Sequence, residues 1–108
     1  MLKVGIIGVG TVGQSVAQIL ESNADIISAR SGQDIQAVKG VVSNLSKKRD
    51  VSIELSDDVD FILNDDSIDI VVELMGGIEG PLEVVKKALS KGKAVVFKTK
   101  DRRIVTIA

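Results

Sequence analysis

The sequence contains no cysteine and no histidine, and these two absences remove whole classes of chemistry. Without cysteine there is no disulfide and no thiolate nucleophile. Without histidine the chain lacks the side chain that most often serves as a general base or as a metal ligand. Tyrosine and tryptophan are also absent, and there are only two phenylalanines and one proline. We therefore expect no metal site in this chain.

The charge balance is nearly neutral, with 14 basic and 15 acidic side chains among 108 residues. A net charge of -1 gives no overall field that would attract nucleic acid or an acidic membrane. No apolar run is long enough to cross a bilayer, and glycines interrupt the opening MLKVGIIGVG, unlike the apolar core of a signal peptide. We expect one cytoplasmic domain with no nucleic-acid or membrane partner.

Short apolar runs alternate with helical patterns along the chain. The apolar residues, 44% of the total, are mainly valine, isoleucine, leucine and alanine, which is typical of strands buried on both faces. Strands are predicted at 3–7, 35–43, 51–55, in SIDIVVELMGG and in KAVVF, with helices between most of them. Such alternation favours an α/β fold, an open parallel sheet with helices on both faces.

Capping residues predict where the helices begin and end. The first helix is expected to run unbroken to Gly32, because glycine readily takes the left-handed conformation that ends helices. Ser56 is expected to cap a short helix. Pro81 suits the first turn of the next helix, and Gly92 its end.

The segment GVGTVG, which follows the first strand and opens the first helix, has the G-x-G-x-x-G spacing of a dinucleotide-binding turn. Gly8 permits the tight turn, Gly10 lets the backbone approach a pyrophosphate, and Gly13 lets the helix and strand pack closely. Free N–H groups around Thr11 and Val12 are expected to bind the phosphates. The alternative is a glycine-rich turn needed only for packing. The motif in this position predicts a Rossmann-type sheet that binds NADP or NAD.

The end of the second strand bears on which cofactor is preferred. NAD sites often place an acid there, about twenty residues past the motif, on the ribose hydroxyls. Asp34 has that spacing but precedes the strand, whose end at Val42-Ser43-Asn44 carries no acid. Three basic residues follow and suit a 2′-phosphate: Lys47, Lys48 and Arg49. The sequence favours NADP over NAD, although such a basic loop is often only a solvated surface.

The segment ELMGG follows the next strand, where ligands bind in open α/β sheets. Gly76 and Gly77 would let the backbone approach the nicotinamide ribose. The alternative is a plain turn into the following helix. Glu73 is either a polar contact at the strand end or a site residue, and the sequence leaves its role open.

Taken together, VGIIGVGTVG, DIVVELMGG and ALSKGKAVV resemble the amino-terminal domain of homoserine dehydrogenase, from about Lys3 to Val96. Members of that family interconvert homoserine and aspartate semialdehyde with NADPH or NADH. They have a Rossmann-type cofactor domain followed by a catalytic and dimerisation region. The resemblance implies a cofactor domain that is incomplete relative to the family's full chain, so enzymatic activity of this chain alone is uncertain and we expect it to be inactive.

The resemblance also assigns residues by position. It places Gly8 to Gly13 at the pyrophosphate and the basic residues 47–49 where they meet a 2′-phosphate. Ser43 and Asn44 fall by the adenosine ribose, where many family members have Arg-Asp. The nicotinamide ribose is implied to lie near three residues: Leu74, Met75 and Gly76.

The chain departs from the family after Val96. The family continues with a Thr-Ala-Asn-Lys motif whose lysine lies at the active site, whereas this chain has Phe97-Lys98-Thr99-Lys100. Lys100 is therefore a catalytic candidate by position only. We divide the chain into a Rossmann domain at 1–96 and an atypical tail at 97–108, expected as an edge strand or as disordered. The apolar RIVTIA makes a homo-oligomer conceivable through pairing at a sheet edge.

Two other functions stay open from the sequence. One is a free-standing nucleotide-binding or sensing module. The other is the cofactor domain of another dehydrogenase that acts on related aldehydes or imines, since fold alone does not select the substrate.

Overall fold

The computed structural model describes residues 1–75, 80–98 and 104–107. The described strands and helices, in chain order, are β1 (Leu2–Ile7), α1 (Thr11–Ser22), α2 (Ala24–Ser31), β2 (Ile35–Val41), β3 (Glu54–Ser56), α3 (Asp60–Leu63), β4 (Ile70–Glu73), α4 (Gly80–Ser90), β5 (Ala94–Lys98) and β6 (Ile104–Ile107). None of the helices in this part of the chain has both the length and the apolarity to span a membrane.

The strands form one sheet in the order β3-β2-β1-β4-β5-β6. The pairs from β3 to β5 are parallel, and β6 runs antiparallel to β5. This is the strand order of Rossmann-type sheets, so the predicted α/β fold is confirmed. The strand order changes direction at β1. Strands β2 and β3 lie on one side of β1, and the next strand in the chain, β4, lies on the other side.

The central strand β1 separates two apolar clusters. Ile7 belongs to a cluster with residues of α3 and α4, such as Ile62 and Ala88, whereas Ile6 packs with Ala17 of α1. Neighbouring residues of a strand point to opposite faces, so helices cover both sides of the sheet. Gly5 lets α3 lie close to β1, since a Cβ there would be 2.7 Å from Cγ2 of Ile62.

Two helix predictions are wrong in detail. The first helix is interrupted at Asn23, whose φ of -111° and ψ of 21° depart from helical values, so α1 and α2 are separate. The Asn23 side-chain amide donates to the Ile19 carbonyl oxygen, as does its backbone N–H. Ser56 does not cap α3, which begins at Asp60 with no side-chain cap from a described residue. The Ser56 Oγ accepts the N–H of Asp58 instead. Gly32 does end α2 in the left-handed conformation.

The tail contains the strand β6, which is one of the two alternatives expected for it. β6 pairs with β5 from Val95 to Lys98 and becomes an edge of the sheet. β5 itself continues two residues past Val96, and the division of the chain at that point stays a prediction.

A polar cluster lies on the α3 side of the sheet and holds the turn between α3 and β4. Lys39 of β2 forms an ion pair with Asp65 at 2.8 Å. The Lys93 ammonium, which is buried, donates to the carbonyl oxygens of Asp65 and Ile68 at 2.6 and 2.8 Å. Both cations therefore bind the same turn.

Candidate dinucleotide site

The candidate site is built where the carboxyl ends of β1, β2 and β4 meet. The N–H of Gly8 donates to the Val41 carbonyl oxygen at 2.8 Å, and the N–H of Leu74 donates to that of Ile7 at 2.8 Å. These bonds join the turns that follow the three strands. The place coincides with the reversal of strand order, where open α/β sheets bind their ligands.

The three glycines of the motif have different surroundings. Gly8 has a φ of +99°, and a Cβ there would be 2.8 Å from the backbone nitrogen of Met75. A Cβ on Gly13 would overlap the carbonyl oxygen of Gly8. A Cβ on Gly10 would meet no atom of the described residues within 4 Å, so none of them fills the space that Gly10 faces. Gly8 and Gly13 are therefore required by packing, whereas Gly10 leaves room for a ligand.

The amino end of α1 adjoins this open space. The helix begins at Thr11 with Gly10 as its cap, and its first turn carries no acidic side chain. The first N–H groups of an α-helix have no partner within the helix, and they lie at the positive end of its dipole. This end of α1 can therefore bind an anion without competition from a carboxylate of its own first turn.

A cleft of about 660 Å³ brings most of the predicted residues together. The predicted residues that line it are Gly8, Gly10, Val12, Gly13, Ser43, Asn44, Lys47, Arg49, Leu74 and Met75. Val9 and Val42 also line it; Val9 was predicted only as part of the range Gly8 to Gly13, and Val42 was not predicted, although its position at the strand end could have identified it. Thr11 begins α1, and nothing is described of its side chain.

Lys48 is exposed and is not one of the lining residues of the cleft. Gly76 and Lys100 lie outside the described residues, as does Gly77.

The loop after β2 is held by its own side chains. Asn44 Oδ1 accepts the N–H of Ser46 at 3.0 Å and the Ser46 hydroxyl at 2.6 Å. Arg49 Nε donates to the Val9 carbonyl oxygen at 2.8 Å, which connects the loop to the glycine-rich turn. Arg49 Nη1 donates to the carbonyl oxygens of Asn44 and Lys47 at 2.8 and 2.7 Å. These contacts could not be predicted from the sequence, because they depend on how the loop folds.

Glu73, whose role the sequence left open, is buried at the end of β4 with 1% of its surface exposed. Its Oε1 accepts the N–H of Met75 at 2.7 Å. This bond shapes the Leu74–Met75 turn against Gly8. Glu73 is not a lining residue of the cleft, but it holds the Leu74–Met75 turn, which does line it.

In the ranges 1–75, 80–98 and 104–107, no group of three or more acidic side chains is placed to hold a metal ion. The described lining of the cleft consists of backbone, apolar, amide, hydroxyl and cationic groups. Such a lining suits an anionic organic ligand with apolar parts.

Residues 8–102 match the family described as "Homoserine dehydrogenase, NAD binding domain". The homoserine dehydrogenase of Helicobacter pylori is 44% identical over 99 residues, which are 92% of this chain and 24% of that protein. The homoserine dehydrogenase of Methylobacillus glycogenes is 39% identical over 102 residues, 92% of this chain and 25% of that protein.

Solved structures give the same result. A crystal structure of S. aureus homoserine dehydrogenase at pH 7.5 superposes with a TM-score of 0.85 and 41% identity, covering 93% of this chain and 26% of that one. The homoserine dehydrogenase of Thiobacillus denitrificans gives a TM-score of 0.84 and 39% identity, covering 89% and 23%. The chain thus spans about a quarter of the length of the relatives it matches.

Proposed function

The chain belongs to the family of homoserine dehydrogenase NAD-binding domains, and from this premise we propose that its cleft holds NADP or NAD for hydride transfer between homoserine and aspartate semialdehyde. The observation that carries the proposal is the meeting of the glycine-rich turn, the amino end of α1 and the Leu74–Met75 turn around one cleft. The substrate is taken from the names of the relatives and rests on family membership.

The phosphate-binding part of the cleft fits a pyrophosphate. The space opposite Gly10 is open, and the N–H groups at the start of α1 border it. A dipole end and free N–H groups together bind phosphate groups without requiring a side chain. We assign Gly8, Gly10, Val12, Gly13 and the backbone of Thr11 to this part.

The Leu74–Met75 turn is assigned to the nicotinamide ribose, together with Gly76. When bound, the nicotinamide ring supplies the hydride acceptor or donor. The chain's own part here is to hold the turn: Leu74 bonds to β1, and Glu73 fixes the N–H of Met75. Met75 is 51% exposed and Val12 54%, so both offer apolar surface at the cleft for a ligand to cover.

The loop after β2 is assigned to the adenosine end, with Ser43 and Asn44 by the ribose. Lys47 lines the cleft there, which supports a preference for NADP because an ammonium attracts a 2′-phosphate. Lys48 is proposed only as a more distant contributor to the same positive charge. Lys100 stays a catalytic candidate by position, and a cytoplasmic location stays a prediction.

Calorimetric titration of the chain with NADPH and NADH tests the function. We expect a dissociation constant below about 1 mM for NADPH and weaker binding of NADH. Lys47→Gln should weaken NADPH binding about threefold to fivefold, as befits an exposed charge pair, and leave NADH binding nearly unchanged. Lys48→Gln, which removes the same charge one residue away, is the matched control and should have a smaller effect.

Absence of affinity for both cofactors at millimolar concentration would overturn the proposed function. Equal affinity for the two cofactors, or tighter binding of NADH, would overturn the NADP preference alone.

A further inference from the structure

We infer that Arg49 is a positioning residue that fixes the glycine-rich turn and the adenosine loop relative to each other, and that it does not itself discriminate NADP from NAD. The inference rests on the proposed function, since it concerns the same cleft. It replaces the interpretation of Arg49 as a 2′-phosphate contact that the basic segment suggests.

Hydrogen bonds to carbonyl oxygens occupy two of the three nitrogens of the Arg49 guanidinium group. Its Nε bonds to Val9, and its Nη1 bonds to Asn44 and Lys47, at 2.7 to 2.8 Å. An arginine binds a phosphate in bidentate fashion through two neighbouring nitrogens. Every pair of guanidinium nitrogens includes Nε or Nη1, so Arg49 has no complete edge left for a phosphate. No hydrogen bond from Nη2 to another described residue is found, so a ligand could meet this nitrogen alone and not a pair.

The bond from Arg49 to Val9 also acts on the phosphate-binding turn. Val9 lies between Gly8 and Gly10, and its carbonyl group shares a peptide unit with the N–H of Gly10. In a trans peptide these two groups point in opposite directions. Arg49 therefore sets the direction of the Gly10 N–H, which stands at the entrance to α1, by holding the Val9 carbonyl oxygen.

The loop is attached to α1 independently of Arg49. Gln18 Nε2 donates to the Asp50 carbonyl oxygen at 2.8 Å, and Gln14 Oε1 accepts the N–H of Asp50 at 3.1 Å. Asp50, the residue next to Arg49, is thus bound to α1. Arg49 links this bound residue to Val9 and Asn44. Loss of the guanidinium fork should loosen the turn and the loop while leaving the sheet and α1 in place.

Arg49→Lys tests the inference because it keeps the positive charge and removes the fork. With both proteins folded, as checked by circular dichroism, we expect NADPH and NADH affinities to fall together by about 10-fold, because two charge-assisted bonds to the loop and one to the turn are lost. The ratio of the two affinities should change by less than about twofold. Lys47→Gln is the contrasting variant, since it should change that ratio.

A selective loss of NADPH affinity in Arg49→Lys would identify Arg49 as a direct phosphate contact and overturn the inference. Unchanged affinity for both cofactors would overturn it as well. Failure of the unsubstituted chain to bind either cofactor would be a failure of the proposed function instead.

A measurement on the unsubstituted chain keeps the inference testable if the variant does not fold. In the absence of cofactor, the Nε–H of Arg49 should exchange with solvent far more slowly than that of the exposed Arg30, as observed by NMR. Equal exchange rates for the two would overturn the inference, whatever the chain binds.

Discussion

Two glycines of the same motif are constrained by different causes, and this difference can be measured. A Cβ on Gly13 would overlap the Gly8 carbonyl oxygen, whereas a Cβ on Gly10 would have no atom within 4 Å among the residues that the structure describes. Gly10 has a φ of -89°, so it does not adopt the left-handed conformation that favours glycine. We expect Gly13→Ala to lower the free energy of unfolding by about 2 kcal/mol, and Gly10→Ala to change it by less than about 1 kcal/mol.

Gly10→Ala should instead remove cofactor binding, because its methyl group would enter the space proposed for the pyrophosphate. We expect NADPH affinity to fall at least about 10-fold in a protein of nearly normal stability, as measured by calorimetry and urea unfolding. Each variant is the control for the other. Normal NADPH binding by Gly10→Ala, or normal stability of Gly13→Ala, would contradict this division of roles.

Glu73 shows which residue-level facts the sequence can provide. An acidic residue inside an apolar strand is visible in the sequence as an anomaly, and its place at a strand end points to the ligand-binding edge. Its actual contact, the N–H of Met75, depends on how the next two residues turn. The same holds for Arg49, whose basic character suggested a phosphate contact and whose partners are carbonyl oxygens.

Among the elements, the strands followed from the sequence more closely than the helices did. Runs such as DIVVE have an unambiguous buried-strand pattern, and the glycine-rich motif fixes where α1 begins. The break at Asn23 could not be predicted from periodicity, because apolar residues continue at Ala24 and Ile27 in helical spacing. Asn23 breaks the helix through its own backbone angles and a side-chain bond to Ile19, neither of which alters the apolar pattern.

The turn between α3 and β4 gives a prediction about pH. The Lys39 ammonium beside Asp65, aided by the hydroxyl and N–H of Ser67, holds the pKa of that carboxyl group well below its usual value of 3.8. A carboxyl group with a lowered pKa stabilises the folded state above its unfolded pKa. That stabilisation is lost as the pH falls from there towards the lowered folded-state pKa.

Asp65→Asn should therefore lower the free energy of unfolding by about 1 kcal/mol at pH 7, with the difference shrinking below about pH 4. Urea unfolding at a series of pH values measures this. Asp66→Asn, at the exposed neighbouring position, is the control and should have little effect at any pH. A difference for Asp65→Asn that stays constant down to pH 3, or an equal effect of Asp66→Asn, would show that the ion pair does not stabilise the turn.

At the scale of the whole molecule, the sheet order and the cleft are properties of a cofactor domain. Alternating strands and helices and one glycine-rich turn were sufficient to predict this architecture, because parallel strands with right-handed crossovers allow few topologies. The antiparallel strand β6 does not follow from these rules for parallel strands. Its pairing with β5 satisfies the backbone groups of an edge, and the sequence offered it only as one of two alternatives.

The cofactor domain is expected to bind NADP or NAD without converting homoserine. Hydride transfer from an alcohol needs a group that accepts the hydroxyl proton, and no carboxylate is found among the described residues that line the cleft. The chain has no histidine, and the cleft cations Lys47 and Arg49 are assigned to the adenosine end. With homoserine and NADP, the absorbance of reduced nicotinamide should stay at background, while an active homoserine dehydrogenase under the same conditions produces a steady increase.

Turnover by the unsubstituted chain would contradict this expectation, and two variants would then locate its origin. Loss of turnover in Lys100→Ala would identify the lysine that matches the family's active-site position as the proton acceptor. Loss in Gly10→Ala but not in Lys100→Ala would place the reaction at the cofactor cleft with a different proton acceptor. Cofactor binding by the unsubstituted chain without turnover would separate the two properties, since the residues that hold the dinucleotide would then be present without the groups that move the substrate proton.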